Sequence, residues 1–162
     1  MVKINNYTRL FILFLVMILC MGSDYYSNQN SKIKITLANK SVISVKVAKT
    51  PEEQSLGLSG VKEGDFGERD GLLFIFSKES RRRFWMPYTF FNLAIIFIDA
   101  SKRVVKVYAA VPHYPKWPTM MDTTQVPATE EVLCQYVLEM KASSKLAATI
   151  KQGDILNFES SN

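Results

Sequence analysis

The sequence predicts a mainly β protein: a single sandwich or barrel-like (jelly-roll-like) antiparallel domain with one or two short helices. Three observations carry that prediction. Apolar residues alternate with period two in several segments and with period 3.6 in almost none. The alternating runs are short and separated by Asn, Ser, Asp and Gly, the residues of tight turns. The chain has 162 residues, enough for one domain of ordinary size and an N-terminal address segment, but not for a second core.

Residues 1–22, "MVKINNYTRLFILFLVMILCMG", place Lys3 and Arg9 ahead of an unbroken apolar run from Leu10 to Met21. This is the charged start and short hydrophobic stretch of a secretory signal. As a helix the run rises about 18 Å, well short of the roughly 30 Å hydrocarbon core, so export is the expectation rather than a stable span. Cys20 adds a second possibility, since a cysteine at the end of such a run can be the lipid-modified first residue of a lipoprotein. Leu19 stands where that signal prefers a small residue, and the other reading of Cys20 is one more apolar residue of the signal. Residues 23–31 then form a polar tether, and the expected location is extracytoplasmic, periplasmic or at the cell surface.

The domain itself is expected over 32–159. "KIKITLAN" (32–39) and "VISVKVAK" (42–49) alternate around the polar turn Asn39, Lys40, Ser41 and predict a hairpin. Further β-rich runs are 71–76, 93–99, 103–111, 135–142 and 154–159, giving seven strands, with Asp99 to Lys102 as a tight turn. "TPEEQSLGLSG" has Thr50 as N-cap, Pro51 at the first helical position and Glu53 at N3, a capping box ended by Gly57 or Gly60. A second helical turn or two is expected from Ser144 to Ile150, stopped by Gly153.

Charge excludes little but is informative. Twenty Lys and Arg face fifteen Asp and Glu, and removal of Lys3 and Arg9 with the leader leaves 18 against 15. That excess is too small to argue for nucleic acid, since no basic face with interleaved stacking aromatics recurs. Without Cys20, Cys134 has no intrachain partner and a structural disulfide is not expected.

The ordered set "VKVAKTPEEQSLGLSG", "GLLFIF", "FWMPYTFFNLAIIFID" and "YVLEMKASSKLAATIKQGDILNF" resembles the domain of unknown function 192 family over roughly residues 42–159. The resemblance implies a small exported or lipid-anchored domain, mainly β, without an established activity. The family pattern in the central motif is approximately FWMKNTxxPLDIxFID, and here Pro87, Tyr88, Asn92 and Ala94 stand for its lysine, asparagine, proline and aspartate. Lys141 and Ser143 replace the usual asparagine and glycine, while Tyr136, Leu138, Glu139, Gly153 and Asp154 match. The departures fall on polar positions, so whatever polar chemistry the family performs is expected to be altered in this member.

The ligand-binding candidates are Arg83, Trp85, Met86, Thr89, His113, Trp117 and Glu139. Trp85 and Met86 suit either a stacking and thioether wall or ordinary packing. Arg81, Arg82 and Arg83, with Lys78, suit an anion or a solvated strand edge. Glu139 lies within the apolar run "YVLEM": facing inward it needs Arg83, Lys106 or a backbone amide as partner, and alternation favours the outward face. The loop "VPHYPKWPTMMD" holds the one histidine, with Trp117, Met120 and Met121. One His and two Met are thin for copper(I), and no Cys/His spacing suits zinc, so neither metal nor cofactor is expected. A Cys134/His113 pair is compositionally available, but Cys134 in "VLCQYVL" looks like a small buried hydrophobe.

Two function classes remain. One is a non-catalytic binding module for an envelope component, glycan or protein, touching the membrane only through its N-terminal segment. The other is a small carboxylate-dependent hydrolase or lyase. A cleft joining Glu139 or Asp99 to Arg83, with a strongly shifted carboxyl, would favour the enzyme; a shallow aromatic groove would favour the module.

Overall fold

The structure, a computed structural model, describes residues 32–117 and 123–158. The first hairpin forms as its alternation requires, with β1 (Lys32–Thr36) antiparallel to β2 (Val42–Ala48). Asn39 Oδ1 accepts from the Ser41 amide at 2.9 Å, and Lys40 takes the left-handed φ of 68° that closes the turn.

After β2 the chain enters α1 (Pro51–Leu56), whose N-terminus is the expected capping box. Thr50 Oγ1 accepts from the Glu53 amide at 3.2 Å, and Glu53 Oε2 accepts from the Thr50 and Lys49 amides at 2.9 and 2.7 Å. A short 3₁₀ turn (Glu63–Asp65) leads to β3 (Asp70–Arg82), followed by β4 (Leu93–Ile98), β5 (Val104–Val111) and β6 (Val132–Lys141). The turn between β4 and β5 forms around Asp99, whose Oδ1 accepts from the amides of Ser101 and Arg103 at 2.8 and 2.9 Å. Burial acts to raise its carboxyl, but the hydrogen bonds from Ser101 and Arg103 outweigh it and hold the group below the usual carboxylate range.

The strands make one six-stranded sheet in the order β1-β2-β3-β6-β4-β5. The sheet differs from the expectation in two places. β2 and β3 run parallel, because α1 and its following loop carry the chain back across the sheet between them. Outside the sheet, the helical turn expected between Ser144 and Ile150 forms as a 3₁₀ turn at Ala147–Thr149. The seventh run is no strand: Thr36 bridges Asn157 at one edge of the sheet, while Arg103 bridges Ile155 beside β5 at the other. Serving two partners at successive positions, this segment cannot build a ladder with either. It instead clasps the two edges, giving the sheet its barrel-like character.

The interior lies on both faces. Ile35, Ile43, Val45, Leu73, Ile96, Leu138 and Leu156 belong to the cluster under the clasp. Leu72, Phe74, Met86, Ile95, Phe97 and Val137 belong to the cluster on the opposite face, covered by the loops after α1 and before β4. β4 is buried at every position and β6 from Tyr136 to Met140. In central strands covered on both sides, alternation carries no solvent face. Gly71 marks the closest packing, since a Cβ there would lie 2.8 Å from Val45 Cγ1 and 3.0 Å from Leu138 Cδ1.

Candidate functional site

A cleft of about 460 Å³ opens on the second face, between α1, the far end of β3 and the segment that follows it. Pro51, Gln54, Ser55, Leu56 and Gly57 form one wall. Phe74, Phe76 and Phe84 form the apolar back, with Phe74 and Phe84 edge to face at 4.8 Å. Arg81, Arg82, Arg83 and Trp85 stand around it, and Glu139 lines it from β6.

Each wall has a local cause. Gln54 Nε2 donates to the Ile75 carbonyl at 2.9 Å and fastens α1 to β3. Pairing of β3 with β6 skips from Ile75↔Tyr136 to Ser80↔Cys134, and beyond this bulge Arg81 and Arg82 pair with Leu133 and Val132 at the end of β3. The 84–89 segment is fastened on both sides. Thr129 donates its amide to the Phe84 carbonyl at 2.8 Å and Met86 donates to the Pro127 carbonyl at 3.0 Å. Ser59 Oγ donates to the Pro87 carbonyl and the Gly60 amide to the Tyr88 carbonyl, both at 2.8 Å.

Glu139 is 4% exposed, sits between Leu72 on β3 and Ile95 on β4, and faces inward rather than outward as alternation suggested. None of Arg83, Lys106 or a backbone amide satisfies it: Oε2 has no hydrogen-bond partner among the described residues. Burial pushes its carboxyl up to about 8, so the neutral acid is the form present at neutral pH. Gly57 keeps the space beside it open, because a Cβ there would lie 3.8 Å from Glu139 Oε2 and 3.3 Å from Phe74 Cζ. Its φ of 53° and ψ of −130° also belong to glycine territory.

The arginines differ in environment. Arg81 and Arg83 are exposed, whereas Arg82 stacks its guanidinium 3.4 Å from the Phe76 ring centre and donates from Nη2 to the Lys78 carbonyl at 3.0 Å. Its buried Nε has no partner among the described residues. Trp85 is 49% exposed and, with Arg83, also lines a second recess of about 240 Å³ together with Thr123, Val126 and Ala128.

The structure thus brings Arg83, Trp85, Thr89 and Glu139 to one cleft and leaves the other candidates outside it. Thr89 is spent on local structure, donating to the Met86 carbonyl and accepting from the Tyr114 amide, both at 3.0 Å. Met86 is fully buried core packing. Trp117 stacks on Tyr88 with ring centres 5.0 Å apart, and Tyr88 holds a left-handed φ of 52°. His113 is exposed and held by Asn92, whose Oδ1 lies 2.8 Å from Nδ1 and accepts from the His113 amide at 2.9 Å. Met120, Met121 and Cys20 lie outside the described residues. Ala94, which stands where the family pattern has aspartate, is buried in the opposite cluster and does not line the cleft. Cys134 is buried, and burial pushes its thiol up to about 11, the behaviour of a packing residue rather than a nucleophile. Among the described residues no three His, Cys, Asp or Glu side chains gather as a metal site requires, and no helix is long and apolar enough to cross a membrane.

The phenylalanine back of the cleft was not singled out in the sequence, where Arg82 was read only as part of a basic run and Gly57 only as a helix end. The capping box marks Gly57 as a helix end, but only the tertiary fold sets that end against Glu139.

A mainly β domain with a small-molecule-sized cleft is the class that fold and site define. The profile of the domain of unknown function 192 family, described as an uncharacterised ACR, matches residues 33–158, and the chain belongs to that family. No curated protein matches the chain. Solved structures share the fold, these two among them. One, from Sinorhizobium meliloti 1021, is named as a candidate transcription regulator; it is 23% identical with a TM-score of 0.62, and the match covers 79% of this chain and 94% of that one. The other, a protein of unknown function from Novosphingobium aromaticivorans DSM 12444, is 26% identical with a TM-score of 0.61, covering 78% and 84%.

Proposed function

We propose that this protein is an exported binding module, addressed to the envelope by residues 1–22 and tethered or released by residues 23–31, whose cleft takes an envelope component of small-molecule or glycan type. One observation carries the reading: a buried, unpartnered carboxyl, two exposed arginines and a half-exposed tryptophan converge on a single cleft of about 460 Å³. That volume lies within the range of small-ligand pockets and is concave, whereas a protein partner usually meets a broader, flatter surface.

A second reading, a carboxylate-dependent hydrolase or lyase, is favoured by the raised carboxyl of Glu139, which suits a general acid near neutral pH. Glycoside hydrolysis of the usual kind needs two carboxyl groups flanking the scissile bond. Glu139 is the one acid among the residues lining the cleft, and Asp99 is committed to its turn. Binding without turnover is therefore the better reading.

Thermal-shift screening of the purified protein against glycans, small organic acids, nucleotides and divalent or copper ions tests it. A ligand that prefers the folded state raises the melting temperature. The expected hit loses its effect in Trp85→Ala and is recovered chemically unchanged after prolonged incubation. A melting temperature unmoved by the whole panel overturns the reading in favour of a protein partner, and conversion of the hit to product overturns it in favour of the enzyme.

A further inference from the structure

The polar groups of the cleft divide into those already committed and those left over. Gln54 donates to backbone carbonyls, Ser59 to Pro87, and Thr89 is engaged on both sides. Left over among the described residues are the Glu139 carboxyl, the buried Nε–H of Arg82, the guanidinium groups of Arg81 and Arg83, and the Ser55 hydroxyl. With Glu139 neutral, every one of these can offer a proton, and donors outnumber acceptors among the uncommitted groups of the cleft. A cationic ligand would ionise Glu139 but meet three guanidinium groups in the same space. The cleft also suits an acceptor with an apolar body, because Phe74, Phe76, Phe84 and Trp85 line it.

We propose that the cleft binds a small organic carboxylate, one oxygen of which accepts the hydrogen bond of the neutral Glu139 carboxyl while Arg83 and Arg81 face its charge. The proposal rests on the reading of this cleft as a binding site, and it adds the ligand's chemical class. It also makes binding conditional on the Glu139 proton, since ionised Glu139 and a ligand carboxylate would be two like charges in a desolvated space.

The groups facing Glu139 do not supply an alternative control. From α1 the facing residues are Gln54, Ser55 and Gly57, none charged. On the sheet face Lys46 lies across Leu72, where its electrostatic neighbours are Lys32 and Asp70. Lys141, two residues along β6, has its Nζ 3.9 Å from Glu63 Oε1 and 5.6 Å from the Phe91 ring centre. Burial is the whole cause of the Glu139 shift.

Calorimetric titration of the full chain with benzoate and galacturonate tests the proposal, with benzamide, galactose and inorganic phosphate as controls. Benzoate and galacturonate separate an apolar acid from an acidic sugar as the source of the carboxylate. At least one is expected to bind about tenfold more tightly near pH ~6 than near pH ~9, because the protonated fraction of Glu139 falls by about that factor. Its uncharged counterpart and phosphate are expected to bind at least about tenfold more weakly. Glu139→Gln, which keeps a neutral donor, retains binding near pH ~6 and loses the pH dependence. Arg83→Gln, at an exposed position, weakens binding about tenfold at both pH values without unfolding the protein. A flat pH profile in the unaltered protein, equal binding of benzamide or phosphate, or no carboxylate binding overturns the proposal. If another ligand in the wider screen still loads the cleft, the binding-module reading stands; if none does, both fail.

Discussion

At Glu139 solvation and topology pull in opposite directions. Its strand position buries the carboxyl between Leu72 and Ile95, where Oε2 has no hydrogen-bond partner among the described residues. The native state therefore retains a proton that the unfolded chain releases near its ordinary value of 4.5, and releases it only at about 8. Because the native state binds more protons across that interval, stability is full below the unfolded value, falls as pH rises through the interval, and levels off above about 8. The loss amounts to roughly 4 to 5 kcal/mol at most. Glu139→Gln is expected to melt near the unaltered protein at acid pH and several degrees above it in mild alkali, checked by melting curves across pH. Gly71 is constrained by space alone: Gly71→Ala forces a methyl against Val45 and Leu138 and is expected to cost about 1–3 kcal/mol in urea unfolding. Gly57→Ala combines a forbidden backbone angle with closure of the space beside Glu139, so ligand affinity should fall along with stability.

Among the elements, α1 matters most to the cleft although it is only six residues long. So short a helix has little intrinsic stability, and its position depends on the capping box and the Gln54 bond to β3. Thr50→Ala should cost about 1 kcal/mol and weaken any cleft ligand by a similar factor, measured by unfolding and titration together. Elements were legible in the sequence wherever local chemistry decided them. The Asn39 and Asp99 turns, the capping box and the first hairpin all form where their residues place them. β6 was legible as a strand but not in its facing, because it sits between β3 and β4 with both faces covered, so Glu139 looked like a solvent residue. The 154–157 segment has the composition of a strand, but its two bridging partners lie on opposite edges of the sheet, which no local pattern encodes.

Across the whole molecule, the cleft gathers residues from α1, from the segment after β3 and from β6, which are separated in sequence and joined only by the strand order. Individual candidates such as Arg83, Trp85 and Glu139 could be picked out by unusual context, but their convergence depended on a β3–β6 pairing invisible in the sequence. The same long-range logic governs stability at the clasp. Leu156 is fully buried under the sheet and Phe158 is 2% exposed, with Lys102 donating to the Phe158 carbonyl. Leu156→Ala should therefore cost about 2–5 kcal/mol, read from denaturant midpoints, although the residue lies in no regular element. Thr36 and Asn157 exchange two backbone hydrogen bonds at 2.8 and 2.9 Å, tying the first strand to nearly the last described residue. Pairing so distant in sequence raises contact order, and folding is expected to be slowed by it. During synthesis the first hairpin therefore has to wait, its outer edge unsealed, until the segment around Asn157 has emerged, so a strand made among the earliest is completed by one of the latest described residues.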